Sequence, residues 1–274
     1  MKTVQTMLNI AARTVGLRFV CAAAGFGALA GLAGCTPSEP PLDTPSAVIS
    51  PYSAAAGVPV VAVAPLANES GTSAVDTLAV SDALVARMAE VQGLAPVPLN
   101  RTIAVMRSMR MNGVKSGAEA RRLLAALGVD ALVVGSVTAY DPYNPPKMGI
   151  QIGVFVRDGG KLSEPAAKDI DPFTLQTATS DPTMNRPKTG SEEPESVVGV
   201  YLDGVNHQVL TELQAYAVGR HDRTGPLGWR KYLVSMDLYT EFAAFTAVSR
   251  LLDKERARVS GVAAVEVPVS PPAP

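Results

Sequence analysis

The sequence predicts an α/β fold: a single three-layer or two-layer domain with a mixed β-sheet flanked by helices, plus additional C-terminal helices. Three observations carry this. Valine-rich apolar runs at 58–66 and 129–140 have the length and composition of strands, and segments of helical period separate them. A further run at 148–157 alternates Ile150, Ile152, Val154 and Val156 on one face, and it follows 129–140 across the turn-rich connector 141–147. Helices interleaved with strands before a closing antiparallel pair build layers rather than an all-β barrel.

In chain order, residues 1–34 come first and read as a secretory signal. Lys2, Arg13 and Arg18 precede an uncharged stretch rich in Gly and Ala, and no acid appears before Glu39. The apolar core is shorter than the roughly 20 residues a spanning helix needs. Leu32-Ala33-Gly34-Cys35 resembles the lipobox of bacterial lipoproteins, in which the signal is cut before the cysteine and the thiol is diacylated. The resemblance implies a mature chain starting at Cys35, a membrane anchor of two or three acyl chains, and, with Thr36 rather than Asp next, an outer-membrane destination at the periplasmic face. Residues 35–57 carry Pro37, Pro40, Pro41, Pro45 and Pro51 among small polar residues and read as a disordered lipidated tether.

The domain is expected over 58–256. Pro59 stands at the first positions of strand 58–66, and Asn68-Glu-Ser-Gly71 turns the chain. A helix is expected from Ser73 to near Gly93, with Val75, Leu78, Ala79, Val85, Ala86 and Ala89 on one face, Asp82 interrupting it, and Asp76 in the first turn. Residues 95–99 suit a short strand. A helix over 101–111 carries Ile103, Met106 and Met109, with Asn100 as its cap. Ser116-Gly-Ala-Glu119 has capping-box spacing ahead of a helix over 118–127 that Gly128 stops. Arg121 and Arg122 are expected on its wet side, with Leu123, Leu124 and Leu127 inward.

Residues 158–195 contain three glycines and five prolines in a polar setting and read as a surface excursion, with 173–178 as a short edge strand at most. Residues 196–219 show helical period through Val197, Val198, Tyr201, Val205, Val209 and Leu213, with His207 near the middle. A last helix over 230–256 has an apolar side of Tyr232, Met236, Tyr239, Phe242, Ala243, Val248 and Leu252 that docks on the sheet. The segment 257–274, with four prolines, reads as a disordered tail.

Composition excludes several functions. The full chain has a formal charge of -1; without residues 1–34 it carries 21 basic and 25 acidic side chains, about -4, which opposes general nucleic-acid binding. Cys21 lies in the signal and Cys35 at the lipobox, so no pair is left for a disulfide. His207 and His221 are the only histidines, too few for a histidine metal site or triad. No phosphate-binding loop, dinucleotide fingerprint, zinc motif or calcium loop is present, and Gly135-Ser136 lacks the second glycine of a nucleophile elbow. Neither an enzymatic activity nor a cofactor is expected. Gly149 and Gly153 in a strand point to close packing or a bulge.

Three segments carry a family resemblance. Val61-Ala-Val-Ala-Pro-Leu-Ala-Asn-Glu-Ser-Gly71, Val97-Pro-Leu-Asn-Arg101 and Leu127-Gly-Val-Asp-Ala-Leu-Val-Val-Gly-Ser-Val-Thr-Ala-Tyr140 occur in this order. Together they resemble a group that includes the curli-secretion lipoprotein, the outer-membrane activator of penicillin-binding proteins and TolB-like amino-terminal domains, over some 100 positions (58–158). The resemblance implies a small α/β domain used for protein–protein work at the periplasmic side of the outer membrane, without a catalytic residue. The expected function is a non-catalytic adaptor or assembly factor for an envelope protein machine, bound to an envelope protein partner or to copies of itself. Interface candidates are Tyr140, Asp141, Tyr143, Tyr232 and Tyr239, since tyrosine buries area while keeping a hydroxyl. Alternatives are an oligomeric secretion-channel subunit, a hydrolase, or a ligand-binding protein with its pocket between the sheet and the last helix. Long amphipathic membrane hairpins, which the channel role needs, do not fit the prolines of 158–195.

Overall fold

A computed structural model of the chain describes residues 45, 47–52, 57–157, 162, 192–221 and 225–260. Cys35, the signal segment, the expected edge strand 173–178 and residues 261–274 lie outside the described residues. One mixed sheet organises the rest. Its strands are β1 (Val60–Val63), β2 (Ala67–Asn68), β3 (Ala95–Pro96), β4 (Ala131–Asp141), β5 (Lys147–Val156) and β6 (Ser196–Asp203), in the order β3-β1-β4-β5-β6 with β2 also against β4. β1 is parallel to β3 and β4, whereas β4–β5 and β5–β6 are antiparallel.

The strand residues divide by parity, as a pleated sheet requires. Val61 and Val63 of β1, Ala131 and Val133 of β4, Ile150 and Ile152 of β5, and Val200 and Leu202 of β6 enter one core. Ala62, Leu132 and Phe155 enter a second core on the other face. The first core is closed by α1 (Thr77–Ala89), α4 (His207–Ala217), a short α5 (Lys231–Val234) and the long α6 (Met236–Ser260). The second is closed by α2 (Leu99–Ser108) and α3 (Gly117–Leu127). The architecture is a three-layer α/β sandwich, with α6 running four residues beyond its expected end at 256.

Local sequence explains the helix ends. Asp76 is the N-cap of α1, accepting from Leu78 N and Ala79 N. Ser116 caps α3 by accepting from Glu119 N, while Glu119 reaches back one residue further than a standard box, to Lys115 N at 2.8 Å. Gly128 (φ 66°) then ends α3 in the left-handed region that a side chain resists. α2 starts at Leu99 after Pro98 with no side-chain cap, so Asn100 lies inside it rather than capping it.

Four expectations need correction. The buried face of α1 is Val80, Ser81, Leu84 and Met88, not the stripe through Leu78, Ala79, Ala86 and Ala89, which is exposed; Asp82 faces water and interrupts nothing. Three residues spaced by four carry more apolar volume than an alanine stripe, and Ser81 is satisfied by Leu66 N and Thr77 O. Residues 196–203 are strand, not helix: Ser196, Val200 and Leu202 turn inward while Val197 and Tyr201 turn out. The valine-rich run fits a pleat, and the helix starts only after the Asn206 cap, so His207 opens α4. Arg121 does not sit on the wet side of α3; it donates to Val156 O and Glu195 and lies over the Phe155 ring. Finally, residues 47–52, inside the stretch read as tether, pack on the domain: Gln92 N donates to Val48 O (3.0 Å) and Ser50 N to Gln92 O (2.9 Å). The two strand glycines do mark close approaches. A Cβ at Gly149 would meet Thr138 Oγ1 at 2.5 Å beside the β4 register shift, and one at Gly153 would meet Pro194 at 3.1 Å.

Candidate functional site: the two ends of the sheet

Parallel pairing gives the sheet two distinct ends. Val60 enters β1 beside the start of β4, with its N–H donating to Asp130 Oδ2 (3.0 Å). β5 ends and β6 begins at that same end, because both ladders are antiparallel. The strap 47–52 docks there. Tyr52 donates its hydroxyl to Glu255 Oε2 at 2.8 Å, Arg256 Nη2 reaches Ile49 O, and Glu255 also accepts from Ser196 Oγ and from Arg258. Glu255 is 1% exposed, so four donor atoms replace the water its carboxylate gives up. Burial pushes the Glu255 carboxyl up, but Arg258, then Ser196 and Tyr52, outweigh it and hold the group below the usual carboxylate range. Burial, followed by Glu255 itself, pushes the Tyr52 hydroxyl far up, so it stays a donor at any physiological pH.

The opposite end carries the β4–β5 turn and the turn after β6. Gly204 N donates to Pro146 O (2.9 Å), which ties the two turns together. Asp141, Lys147 and Asp203 lie in one register row, and Lys147 Nζ is 3.3 Å from Asp203 Oδ2. The Val205 N–H and then Lys147 hold the Asp203 carboxyl below its usual range. Burial and then the charges of Asp237 and Asp76 raise the Tyr140 pKa; Asp76 is the N-cap of α1, and Asp237 lies in the first turn of α6, at the other end of that helix from Glu255. Large apolar or aromatic side chains that stand in water at this end include Tyr143 (80% exposed), Val205 (65%) and Tyr201 (59%). Tyr201 pairs with Gly149 on the sheet face that α2 and α3 leave uncovered, on the edge strand β6. Among the described residues here, acids outnumber bases.

The structure thus separates the five interface candidates. Tyr140, Asp141 and Tyr143 share the turn end; Tyr140 is half-buried against the core, and Asp141 accepts from Tyr143 N at 3.1 Å. Tyr232 and Tyr239 are core residues, 3% and 0% exposed, and present no surface to a partner. Tyr232 packs edge-on to Tyr216 and donates to Arg220 O, while Tyr239 packs on Phe242. Aromatic spacing on a helix does not distinguish a core stripe from a contact stripe. Tyr201 and Val205, read as helix residues in sequence, were missed because Tyr201 lies in an edge strand and Val205 in the turn that follows it. Ser136 is buried and donates to Glu69 Oε2 at 2.8 Å, a structural tie between β4 and the 68–71 turn. The void between the sheet and the last helix, lined by Val61, Val133 and Leu252, holds only about 20 Å³. Among the described residues no helix is long and apolar enough to cross a membrane, and no three of His, Cys, Asp and Glu converge to hold a metal ion.

No protein-family model and no curated protein matches the chain. Among solved structures, the LpoB C-terminal domain from Salmonella enterica is similar at 9% identity and a TM-score of 0.35, over 53% of this chain and 83% of that one. The PelC dodecamer from Paraburkholderia phytofirmans is similar at 10% identity and a TM-score of 0.32, over 78% and 93%. Lipoprotein GNA1162 from Neisseria meningitidis is similar at 20% identity and a TM-score of 0.28, over 35% and 68%.

Proposed function

We propose that this chain is a non-catalytic outer-membrane lipoprotein that acts as an adaptor or assembly factor, presenting the turn end of its sheet to an envelope protein. The observation that carries the reading is the polarity of the domain. The strap end receives the chain coming from Cys35, and the exposed aromatic and apolar side chains Tyr143, Tyr201 and Val205 gather at the other end. An acyl anchor at Cys35 leaves 11 residues (36–46) before Ala47, a span of at most about 40 Å when fully extended. A free tether to residue 57 would reach almost twice as far. The docked strap therefore shortens the reach of the domain from the periplasmic face of the membrane, and the tether enters at the end opposite the turns. Asp76, Asp141, Asp203 and Asp237 around that end suit a partner whose apolar contact surface is rimmed by basic side chains.

The test is affinity purification of the lipidated protein from detergent-solubilised envelopes, wild type against a Tyr143→Ser/Tyr201→Ser/Val205→Ser variant, with size analysis of both. The adaptor reading expects one stoichiometric envelope protein with wild type and its loss from the folded variant. A partner-free ring of copies would overturn it in favour of a secretion-channel subunit.

A further inference from the structure

The helical layer of α2 and α3 carries a charge that the chain as a whole does not. Residues 97–128 hold six basic side chains and one acidic one, in a chain whose formal charge is -1. Two of the seven are committed elsewhere: Arg121 donates to Val156 O and Glu195, and Glu119 accepts from Lys115 N. Arg101, Arg107, Arg110 and Lys115 are exposed, and among the described residues no carboxylate pairs with them. Arg122 is exposed too, and its nearest carboxylate, Glu119, is 3.9 Å away. Arg110, Lys115 and Arg122 line one hollow of about 250 Å³ together with Glu119.

This basic hollow sits at the strap end. Arg121, the neighbour of Arg122 on α3, is bonded where β5 ends and β6 begins, and a Cβ at Gly117 would run into Glu192 O just ahead of β6. Its composition separates it from the turn end. Among the described residues, the large apolar side chains that stand exposed all lie outside 97–128. A protein hot spot is built on aromatic or aliphatic anchors that fill pockets, and this layer offers none. An anionic membrane surface asks only for basic charge brought within a Debye length of its headgroups.

We infer that the surface of Arg110, Lys115 and Arg122, with Arg107 one turn before Arg110, rests on anionic phospholipid headgroups and lays the strap end of the domain against the membrane. The choice of a membrane rests on the anchor reading, because the tether from Cys35 enters at this same end. The charge of the surface does not depend on that reading.

A fluorescent amino acid replaces Ala118, exposed one turn before Arg122, or, as control, Tyr143 at the turn end. The chain isolated from envelopes in detergent is reconstituted in phosphatidylcholine vesicles with and without phosphatidylglycerol. All vesicles carry a trace of phosphatidylcholine with a nitroxide on its headgroup as quencher. Intact mass of the same sample reads acylation of Cys35, so a failed anchor and a failed surface are told apart. Quenching at position 118 is expected to rise with phosphatidylglycerol and to fall back in high salt, while position 143 stays bright in both lipids. In the Arg110→Gln/Lys115→Gln/Arg122→Gln variant the contact equilibrium should drop about 100-fold. Quenching at 118 that ignores the headgroup, quenching at 143 instead, or a phosphatidylglycerol effect unchanged in the folded triple variant would overturn the inference. An unacylated chain still quenched at 118 by phosphatidylglycerol vesicles alone keeps the surface and removes the anchor. An acidic envelope protein recovered with wild type and lost from the triple variant, with quenching indifferent to headgroup, would overturn the lipid and assign the surface to that protein.

Discussion

Replacing Tyr52 by Phe tests whether the strap is clipped to the domain by the buried Glu255 carboxylate. The ring stays and only the 2.8 Å hydrogen bond to Glu255 Oε2 is lost. A hydrogen bond to a charged group contributes about 1.5–3 kcal/mol. Ser196 and Arg258 still satisfy the carboxylate, so it is not orphaned and the loss belongs near 2 kcal/mol. Among the described residues, the strap keeps two backbone hydrogen bonds with Gln92, a 3.3 Å contact from Arg256 Nη2 to Ile49 O, and the packing of Val48 and the residue-52 ring on the core. Because the strap opens without unfolding the sheet, the effect is local: its opening equilibrium should rise about 30-fold. Amide hydrogen exchange of Ser50 N, which donates to Gln92 O, reads this directly, with Ile150 in the central strand β5 as the internal control. Ser50 exchange should accelerate about 30-fold while Ile150 changes little. Unchanged Ser50 exchange in a folded Tyr52→Phe protein would refute the clip and restore a free tether to residue 57.

Other perturbations follow from the same contacts. Glu255→Gln strips Arg258 of its charge partner at a largely buried site and should lower global stability by about 3 kcal/mol in denaturant unfolding. The folded pKa of Glu255 is depressed, so its contribution is present above the unfolded carboxylate value. It is lost as pH falls through the folded value, and acid unfolding of wild type should be steeper than that of Glu255→Gln. At high pH, burial pushes Tyr216 up to about 12 and raises Tyr52, Tyr232 and Tyr239 as well. Their stabilisation is full below about 10 and is lost as pH rises above it, so alkaline melts should show a falling Tm, with the tyrosinate absorbance of these four residues appearing only on unfolding. Ser116→Ala removes the α3 cap and should cost about 1 kcal/mol in the same denaturant assay.

The sequence made the left and centre of the sheet legible because there each local signal agrees with the tertiary outcome. The run through Ala131–Asp141 is apolar and β-branched, its partner Lys147–Val156 alternates, and Ser116 and Gly128 bracket α3 at the expected ends. β6 was misread because Val197, Val198, Tyr201 and Val205 also fall at helical spacing. Only pairing with β5 decides for Val200 and Leu202, and the local clue was the Asn206 cap four residues later. Docking of the strap was hidden because its ties are to Gln92 and, 203 residues away, to Glu255. One trace did exist: Glu255 falls on the stripe of Val248, Leu251 and Leu252, where a charge at a buried helix position demands partners. The turn-end surface was half legible. Tyr143 stood in a turn, whereas Tyr201 and Val205 joined it only once β6 was a strand.

The adaptor reading is tested most directly by a photo-crosslinking amino acid placed singly at Tyr143, Val205 or Ile49 in the lipidated chain in intact envelopes. All three side chains are well exposed, with Tyr143 and Val205 at the turn end and Ile49 on the strap. Tyr143 and Val205 are predicted to capture one and the same envelope protein, and Ile49 not to capture it. Adducts of that protein from Ile49 alone, or adducts from Tyr143 and Val205 only with further copies of this chain, would contradict a partner-facing turn end.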